Sequence, residues 1–531
     1  MLEGIAVAQI NVQVGDIDGN VARIRAARAK AANCALLVCP EMAVCGYPPE
    51  DLILRPAFRT AARKAVEALA AETTTGPALL VGSVWEMDGH IYNAALLLAE
   101  GQIAHVQPKR MLPNYGIFDE KRVFTPGAES QPANFGAQKI GILVCEDSWH
   151  PHIAKELVKK GAQMLIVINA SPFENGKLAH RHTLIADTAQ AHRMPVLYAN
   201  LVGGQDDIVF DGGSFAVDAT GKMTAQAPQF SEYVGTLQPR AQSLSHEEEI
   251  WNALTLGLRD YVHKNNFSSV LLGLSGGIDS AVVAALATDA LGHEHVLGVL
   301  LPSHYTSKES MEDAHALAKS LRLRTTTLPI TPTFEAQAHT LAPALADLAP
   351  QFQDWKTHLL VGGNLQARIR GTLLSALSNA TGHMLLSTGN KSEVATGYTT
   401  LYGDSCGGYA PIKDVYKTDV YALAKWRNAR SNVIPLRSIS KAPSAELAPG
   451  QKDEDQLPPY ALLDAILKRY IEGGESVAQL SHAFDAALVA RVAGLVRISE
   501  YKRRQMPPGA KISSMIFNRD WRYPLTNGFK G

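Results

Sequence analysis

The run Gly273-Leu274-Ser275-Gly276-Gly277-Ile278-Asp279-Ser280 constrains this chain more than any other stretch. It follows an apolar, strand-like segment at 269–272 and precedes a helix-like one at 281–291. A strand that turns into a helix through glycines exposes backbone N–H groups at the helix N-terminus, where the partial positive charge favours phosphate. Ser275 and Ser280 add hydroxyls, and Asp279 adds a carboxylate suited to Mg²⁺. No lysine follows, so the run is not the common GxxxxGK[ST] phosphate loop. Residues 273–277 also match GxSxG, the elbow that presents a nucleophilic serine. Asp279 and Ser280 extend beyond that shorter pattern and favour the phosphate reading, both over the serine one and over a mere tight turn.

A chain of 531 residues is too long for one core, which points to two to four domains. Formal net charge is −1, so nothing in the composition calls for nucleic acid or an anionic membrane as partner. No apolar run approaches the roughly 20 residues of a membrane span. The first ten residues read as a strand rather than a signal peptide, and a cytoplasmic enzyme is expected. Cys34, Cys39, Cys45, Cys145 and Cys406 make an odd set without a CxxC pair, which argues against a disulfide framework or a zinc site.

Three regions are expected: a domain over 1–238, a linker over 239–248 and a second domain over 249–531. The first alternates strands (4–10, 35–39, 78–84, 94–99, 140–144, 164–169, 195–199) with helices, an α/β pattern. The second restarts as strand 270–274, helix, strand 296–300, helix near 310–321 and strand 325–329. That order predicts a doubly wound parallel sheet, which binds ligands at the carboxyl ends of its strands. Residues 434–460, rich in Pro, Asp, Glu and Gln, read as a loop and candidate lid, followed by a helix over 461–470.

Cys145 lies directly after the apolar segment 139–144, where a strand end would hold a thiol still yet reachable. With an ordinary pKa near 8.5, a thiol needs a neighbouring base to act as nucleophile. Glu41 follows the segment 36–40 and Lys109 the segment 103–108, so Glu, Lys and Cys each stand just past a strand. This arrangement resembles the nitrilase superfamily, most specifically around Pro40-Glu41 with Gly46-Tyr47-Pro48, around Lys109 with Leu112-Pro113-Asn114-Tyr115 and Phe118-Asp119-Glu120, and at Cys145-Glu146-Asp147. The resemblance implies an αββα sandwich that cleaves non-peptide C–N bonds, with Glu41 as base and acid, Lys109 stabilising the oxyanion and Cys145 carrying the acyl group. Glu120 is expected to orient or relay protons.

The pattern SGGxDS at 275–280 resembles the pyrophosphate loop of the N-type ATP pyrophosphatases. An amidase of the first kind fused to a domain of the second resembles the glutamine-hydrolysing NAD synthetases nearly end to end. That resemblance implies glutamine held by Tyr115, Ser171 and Lys177; ATP as co-substrate on the 273–280 turn, Thr388 and Lys417; Mg²⁺ at Asp279 and Glu393; and nicotinic acid adenine dinucleotide (deamido-NAD) at Asn364, Arg368, Glu393 and Lys502. The motifs carrying it include Ser387-Thr388-Gly389-Asn390-Lys391-Ser392-Glu393, Pro443-Ser444-Ala445-Glu446-Leu447 and Tyr501-Lys502-Arg503-Arg504-Gln505. It also implies a homo-oligomer, dimer or higher, through the second domain. Leu401 and Gly408 depart from the lysine and aspartate of single-domain, ammonia-using synthetases, so the substrate grip there must differ. Gly389-Asn390-Lys391-Ser392 lacks the glycine spacing of a phosphate loop. Other ATP-pyrophosphatase amidotransferases fit less well: one class carries a Cys–His–Glu glutaminase, and another needs cysteine where Leu2 stands.

Overall fold

The computed structural model describes residues 4–239, 243–352, 354–355 and 359–529, and the chain divides into two compact units, Met1–Leu244 and Ser245–Gly531. The strands of the first unit are β1 (Ile5–Gln9), β2 (Leu36–Val38), β3 (Ala78–Met87), β4 (His90–Ala99), β5 (Gln102–Pro108), β6 (Ala133–Phe135), β7 (Gln138–Val144), β8 (Met164–Asn169), β9 (Val196–Asn200), β10 (Val202–Gln205), β11 (Ile208–Asp211), β12 (Phe215–Val217), β13 (Met223–Gln226) and β14 (Tyr233–Gly235). They form two main sheets, β14-β1-β2-β3-β4-β5 and β13-β12-β9-β8-β7-β6, with β10 and β11 pairing separately.

Both faces of each sheet are apolar, so the strands read as near-continuous hydrophobic runs, and alternate side chains serve different layers. Ile5, Val7, Leu36 and Val38 from one sheet meet Ile140, Ile142, Val144 and Ile166 from the other in a core between the sheets. The intervening Ala6, Ala8 and Leu37 face helices α1 (Ile17–Lys30) and α2 (Pro56–Ala71), packing on Val21, Ile24, Val66 and Leu69. Leu143, Leu165 and Val167 face α3 (Pro151–Lys159) and α4 (Lys177–His192), packing on Ile153, Leu157 and Ile185. The expected αββα sandwich results.

The expected strands 78–84 and 94–99 are the inner halves of one long hairpin. Its turn, Asp88-Gly89, has φ of 53° and 75°, the positive pair that a tight two-residue hairpin turn requires. Only the residues next to the turn, Glu86, Met87 and His90, are exposed, and the polar Glu86, His90 and Asn93 interrupt the apolar run there. The hairpin matters because it brings Asn93 to the strand ends where Glu41 and Lys109 stand.

The second unit begins with α5 (His246–Lys264), whose N-cap Ser245 accepts a hydrogen bond from the Glu248 N–H at 3.3 Å. His246–Glu248, at the end of the expected 239–248 linker, form its first turn. The strands β15 (Val270–Gly273), β16 (Val296–Leu300), β17 (Arg324–Thr327) and β18 (Met384–Leu385) form a parallel sheet in the order β17-β16-β15-β18. The chain moves outward from β15 to β17, then returns to the other side of β15. The crevice between β15 and β18 is therefore the topological switch point, where sheets of this kind bind ligands.

Helices α6 (Ile278–Leu291), α7 (Lys308–Leu321), α8 (Thr331–Leu348), α9 (Leu359–Thr381), α10 (Lys391–Thr396), α11 (Lys417–Arg430), α12 (Leu436–Ser440) and α13 (Tyr460–Leu467) complete the surroundings of that crevice. The continuous buried run 280–287 of α6 fits its packing against α5, α11 and the sheet. The helix expected over 461–470 is α13 continued by a wider π turn, Lys468–Glu472.

Candidate functional site

In the first unit Glu41, Lys109 and Cys145 follow β2, β5 and β7. Lys109 Nζ donates to Glu41 Oε1 and to Glu120 Oε1, both at 2.8 Å. Glu41 is fully buried, Lys109 1% exposed and Glu120 4% exposed, so this ion cluster sits out of water. The rest of the Glu41 carboxylate is occupied as well. Asn93 Nδ2 donates to Oε1 at 2.7 Å, and the Ala170 N–H donates to Oε2 at 2.8 Å. A Cβ on Gly82 of β3 would lie 2.6 Å from Glu41 Cα, so only glycine lets that strand pass so close.

Cys145 holds φ of +47°, a left-handed conformation uncommon for a side-chain-bearing residue, and opens one tight helical turn, Cys145–Trp149. Strain of this kind, typically ~1–3 kcal/mol, persists only where the surroundings over-determine it. Asp147 supplies that restraint. Its Oδ2 accepts from the Val144 N–H at 3.2 Å, and its Oδ1 from the Arg110 and Met111 N–H groups at 3.0 and 2.8 Å. One carboxylate thus ties the cysteine turn to the loop after Lys109.

Burial, then the charge of Glu41, pushes the Cys145 thiol well above its ordinary pKa, with Lys109 pulling the other way. Burial and the Glu41 charge thus favour the protonated thiol. Burial opposes the Lys109 charge, but Glu120 and Glu41 outweigh it and keep the ammonium protonated. Glu120 is pushed up to about 7, mainly by burial and partly by Glu41, while Lys109 opposes the rise. Its Oε2 is buried with no hydrogen-bond partner among the described residues, and its Oε1 also accepts from Tyr47 at 2.8 Å.

Of the expected glutamine contacts, Tyr115 feels the charges of Cys145 and Lys109, and Ser171 follows Ala170, whose N–H bonds Glu41. Tyr115 is half exposed and donates to Glu146 Oε2 at 2.9 Å. Ser171, just past β8, is buried; its Oγ accepts from Arg181 Nε at 3.1 Å, and Arg181 pairs with Asp211 at 2.7 Å. Lys177 is the first residue of α4.

In the second unit the 273–280 turn closes one end of a cavity of about 480 Å³, also lined by Asn364, Thr388, Glu393, Lys417 and Lys502. Arg368 is not among the lining residues. Its Nε donates to Leu401 O at 3.2 Å and its charge acts on Lys502, while Arg370 lines the cavity instead. Gly276 has φ of +79°, and a Cβ there would lie 2.2 Å from Ser310 O. The Ser275 hydroxyl is engaged within its own turn, 3.0 Å from Ser280 Oγ and accepting from the Gly277 N–H at 3.2 Å. That use suits a phosphate cradle rather than a nucleophile.

Asp279 bonds Lys417 Nζ through Oδ2 and accepts from Asn390 Nδ2 at 3.0 Å through Oδ1. Glu393 lies 3.3 Å from the same ammonium and is pushed up to about 8, chiefly by burial. Burial lowers the Lys417 pKa less than Asp279 and Glu393 raise it, so the ammonium stays charged. Glu393 also completes a reciprocal cap with Asn390 at the start of α10. Lys391, by contrast, is buried away from the cavity and donates to Ser513 Oγ at 2.6 Å beside Asp414 and Glu472. The 389–392 stretch is therefore a helix cap and not a phosphate loop.

Sequence reading missed Asn93, Tyr47, Asp147, Arg181 and Asn390. Asp147 and Asn390 sat inside quoted motifs and carried a local signal, an acid three residues past a strand end and an N-x-x-E cap. Tyr47 also sat in a quoted motif, but its partner Glu120 lies 73 residues away; Asn93 and Arg181 act across 52 and 10 residues of sequence and carried no signal.

The fold is that of a carbon–nitrogen hydrolase unit joined to a synthetase unit built on a parallel sheet. Residues 4–244 match the carbon-nitrogen hydrolase family and residues 250–507 the NAD synthase family. The chain is 42% identical to the glutamine-dependent NAD(+) synthetase of Thermotoga maritima and 43% identical to that of Rhodobacter capsulatus, covering 99% of this chain and 99% and 98% of theirs. A solved glutamine-dependent NAD+ synthetase from Acinetobacter baumannii, in complex with adenosine diphosphate, superposes with a TM-score of 0.78 at 39% identity over 99% of this chain and 98% of that one. The chain belongs to the family of glutamine-dependent NAD(+) synthetases. Among the described residues no helix is long and apolar enough to cross a membrane.

Proposed function

We propose that this chain amidates deamido-NAD to NAD at the expense of ATP, with nitrogen drawn from glutamine. The observation that carries the reading is the buried Glu41–Lys109 pair at 2.8 Å, electrostatically coupled to Cys145, on the same chain as the glycine turn and its cavity. Full-length likeness to relatives named for this activity supports it.

In the first unit Glu41 takes the Cys145 proton as sulfur attacks the amide carbon of glutamine. Lys109, with two of its three protons on carboxylates, points the remaining one to the oxyanion, where a single donor is worth on the order of 3–4 kcal/mol. Collapse expels ammonia with the proton returned by Glu41, and water then releases glutamate from the thioester. Tyr115, Ser171 and Lys177 hold the amino-acid end of glutamine.

In the second unit the β,γ-phosphates of ATP rest on the 273–280 turn, and Thr388 and Lys417 complete the nucleotide contacts. Asn364, Glu393 and Lys502, which line the cavity, hold deamido-NAD. Its nicotinate carboxylate attacks the α-phosphorus to give an acyl-adenylate and pyrophosphate, and ammonia displaces AMP. Two carboxylates already gathered around one cation, Asp279 and Glu393, suit Mg²⁺, which is typically bound through one or two carboxylates plus substrate phosphates. Bound there, the ion would neutralise phosphate charge. We further propose a homo-oligomer formed through the second unit and a cytoplasmic location. Incubation with ATP, deamido-NAD and glutamine should yield NAD, AMP, pyrophosphate and glutamate together; ADP in place of AMP would refute the reading.

A further inference from the structure

We propose that Lys441 grips the β,γ-phosphates of ATP and that Glu446 is the positioning residue holding it in reach. The inference rests on the reading of the cavity as the ATP site. The 273–280 turn offers N–H groups and hydroxyls to a highly charged tail, yet the nearby Lys417 is already shared between Asp279 and Glu393. A second cation, less buried and with an N–H to spare, is needed at the pyrophosphate end.

Lys441 lines the same cavity as the turn, and its side chain is 33% exposed, against 2% for Lys417. Its Nζ donates to Ser310 Oγ at 2.7 Å and Glu446 Oε1 at 2.8 Å. The contact to Ser307 Oγ is long, 3.5 Å, which leaves a third N–H for a ligand. Ser310 is also the residue whose carbonyl abuts Gly276, so the ammonium is anchored against the element that touches the turn. Ser438 Oγ, donating to Gly276 O at 2.9 Å, fastens the same segment to the turn directly.

Glu446 is built to hold this arrangement. It carries φ of +48°, and its Oε1 accepts from the Ser307 and Ser310 hydroxyls at 2.8 and 2.7 Å as well as from Lys441. Its Oε2 accepts from the Ser307 N–H at 3.3 Å, at the start of α7. The segment's other cation, Arg437, is spent on Asp313 and Glu312.

The test uses the whole enzyme with ammonium salts as nitrogen source, so that the glutamine site plays no part. Lys441→Met should lower kcat/KM for ATP by roughly 10–100-fold, mostly through KM, and Lys441→Arg should restore most of it. Inhibition by pyrophosphate should weaken in parallel, because pyrophosphate keeps the two phosphates concerned, while inhibition by AMP should move less than about two-fold. Glu446→Ala should raise the KM for ATP, and Glu446→Gln, whose amide oxygen still accepts from both serines, should recover it. A Lys441→Met enzyme with an unchanged KM for ATP, or with equal losses in AMP and pyrophosphate inhibition, overturns the proposal. A wild-type enzyme that does not split ATP into AMP and pyrophosphate removes the cavity's reading itself and the proposal with it, before any variant is made.

Discussion

The Glu41–Lys109–Glu120 cluster of the first unit and the Asp279–Lys417–Glu393 cluster of the second use the same groups, two carboxylates around one lysine, under opposite conditions. In the first, Glu41, Lys109 and Glu120 are each at most 4% exposed, and backbone and side-chain donors occupy both oxygens of Glu41. In the second, the Asp279 and Glu393 side chains are 18% and 16% exposed at the edge of a cavity of about 480 Å³. A dry cluster whose base is held through both oxygens strengthens every charge it keeps and costs little reorganisation when charge develops on a small amide. A site that must admit a triphosphate and release pyrophosphate needs ions that can change partners. Covalent chemistry here is assigned to the prebuilt site, and positioning of a large charged substrate to the exchangeable one.

If the two sites are chemically separate, Cys145→Ala should lower glutamine-supported NAD formation by at least about 10³-fold while ammonium-supported formation survives. Loss of both would break the comparison at its root. Asp279→Asn should lower synthesis by roughly 10²-fold with either nitrogen source, since it removes a charge facing both Lys417 and the phosphates. Glutamate release by the same variant, measured separately, shows whether the first site senses the second. Asn93→Ala should cost about 10-fold in kcat for glutamine hydrolysis with little change in KM, because it loosens the base and not the substrate. An equal loss in ammonium-supported synthesis would mean that Asn93 serves the fold.

The smallest effect concerns Glu120. Burial raises its carboxyl from an ordinary 4.5 to about 7, so across that interval the folded unit retains a proton that the unfolded chain has released. Stability from this group is present below pH 4.5 and is lost as pH rises through 7. Glu120→Gln removes the titration. Relative to wild type, its melting temperature should rise by a few degrees between pH 5 and 8. A difference independent of pH would show that Glu120 ionises normally and that the first site is less dry than its burial indicates.

Local signals carried far in this molecule. Strand ends bearing Glu41, Lys109 and Cys145, and the glycine turn at 273–280, were legible because short apolar runs and turn glycines are properties of short windows. Arg368 shows where such a reading runs out. It lies on the α9 stretch that the resemblance singled out, yet its guanidinium turns to Leu401 O and Arg370 faces the cavity, a matter of helix phase.

From residue order alone follow two α/β units, the chemical class of each site and the side chains at the strand ends. Tertiary structure alone decided how those side chains are charged and held: Asn93 and Ala170 on Glu41, Asp147 bracing the strained Cys145, and the Lys441–Glu446 pair beside the glycine turn. The reason is physical. A residue's type and its place on an element are local, whereas its protonation and partners depend on burial and, in these sites, on groups as far as 139 residues away in the chain.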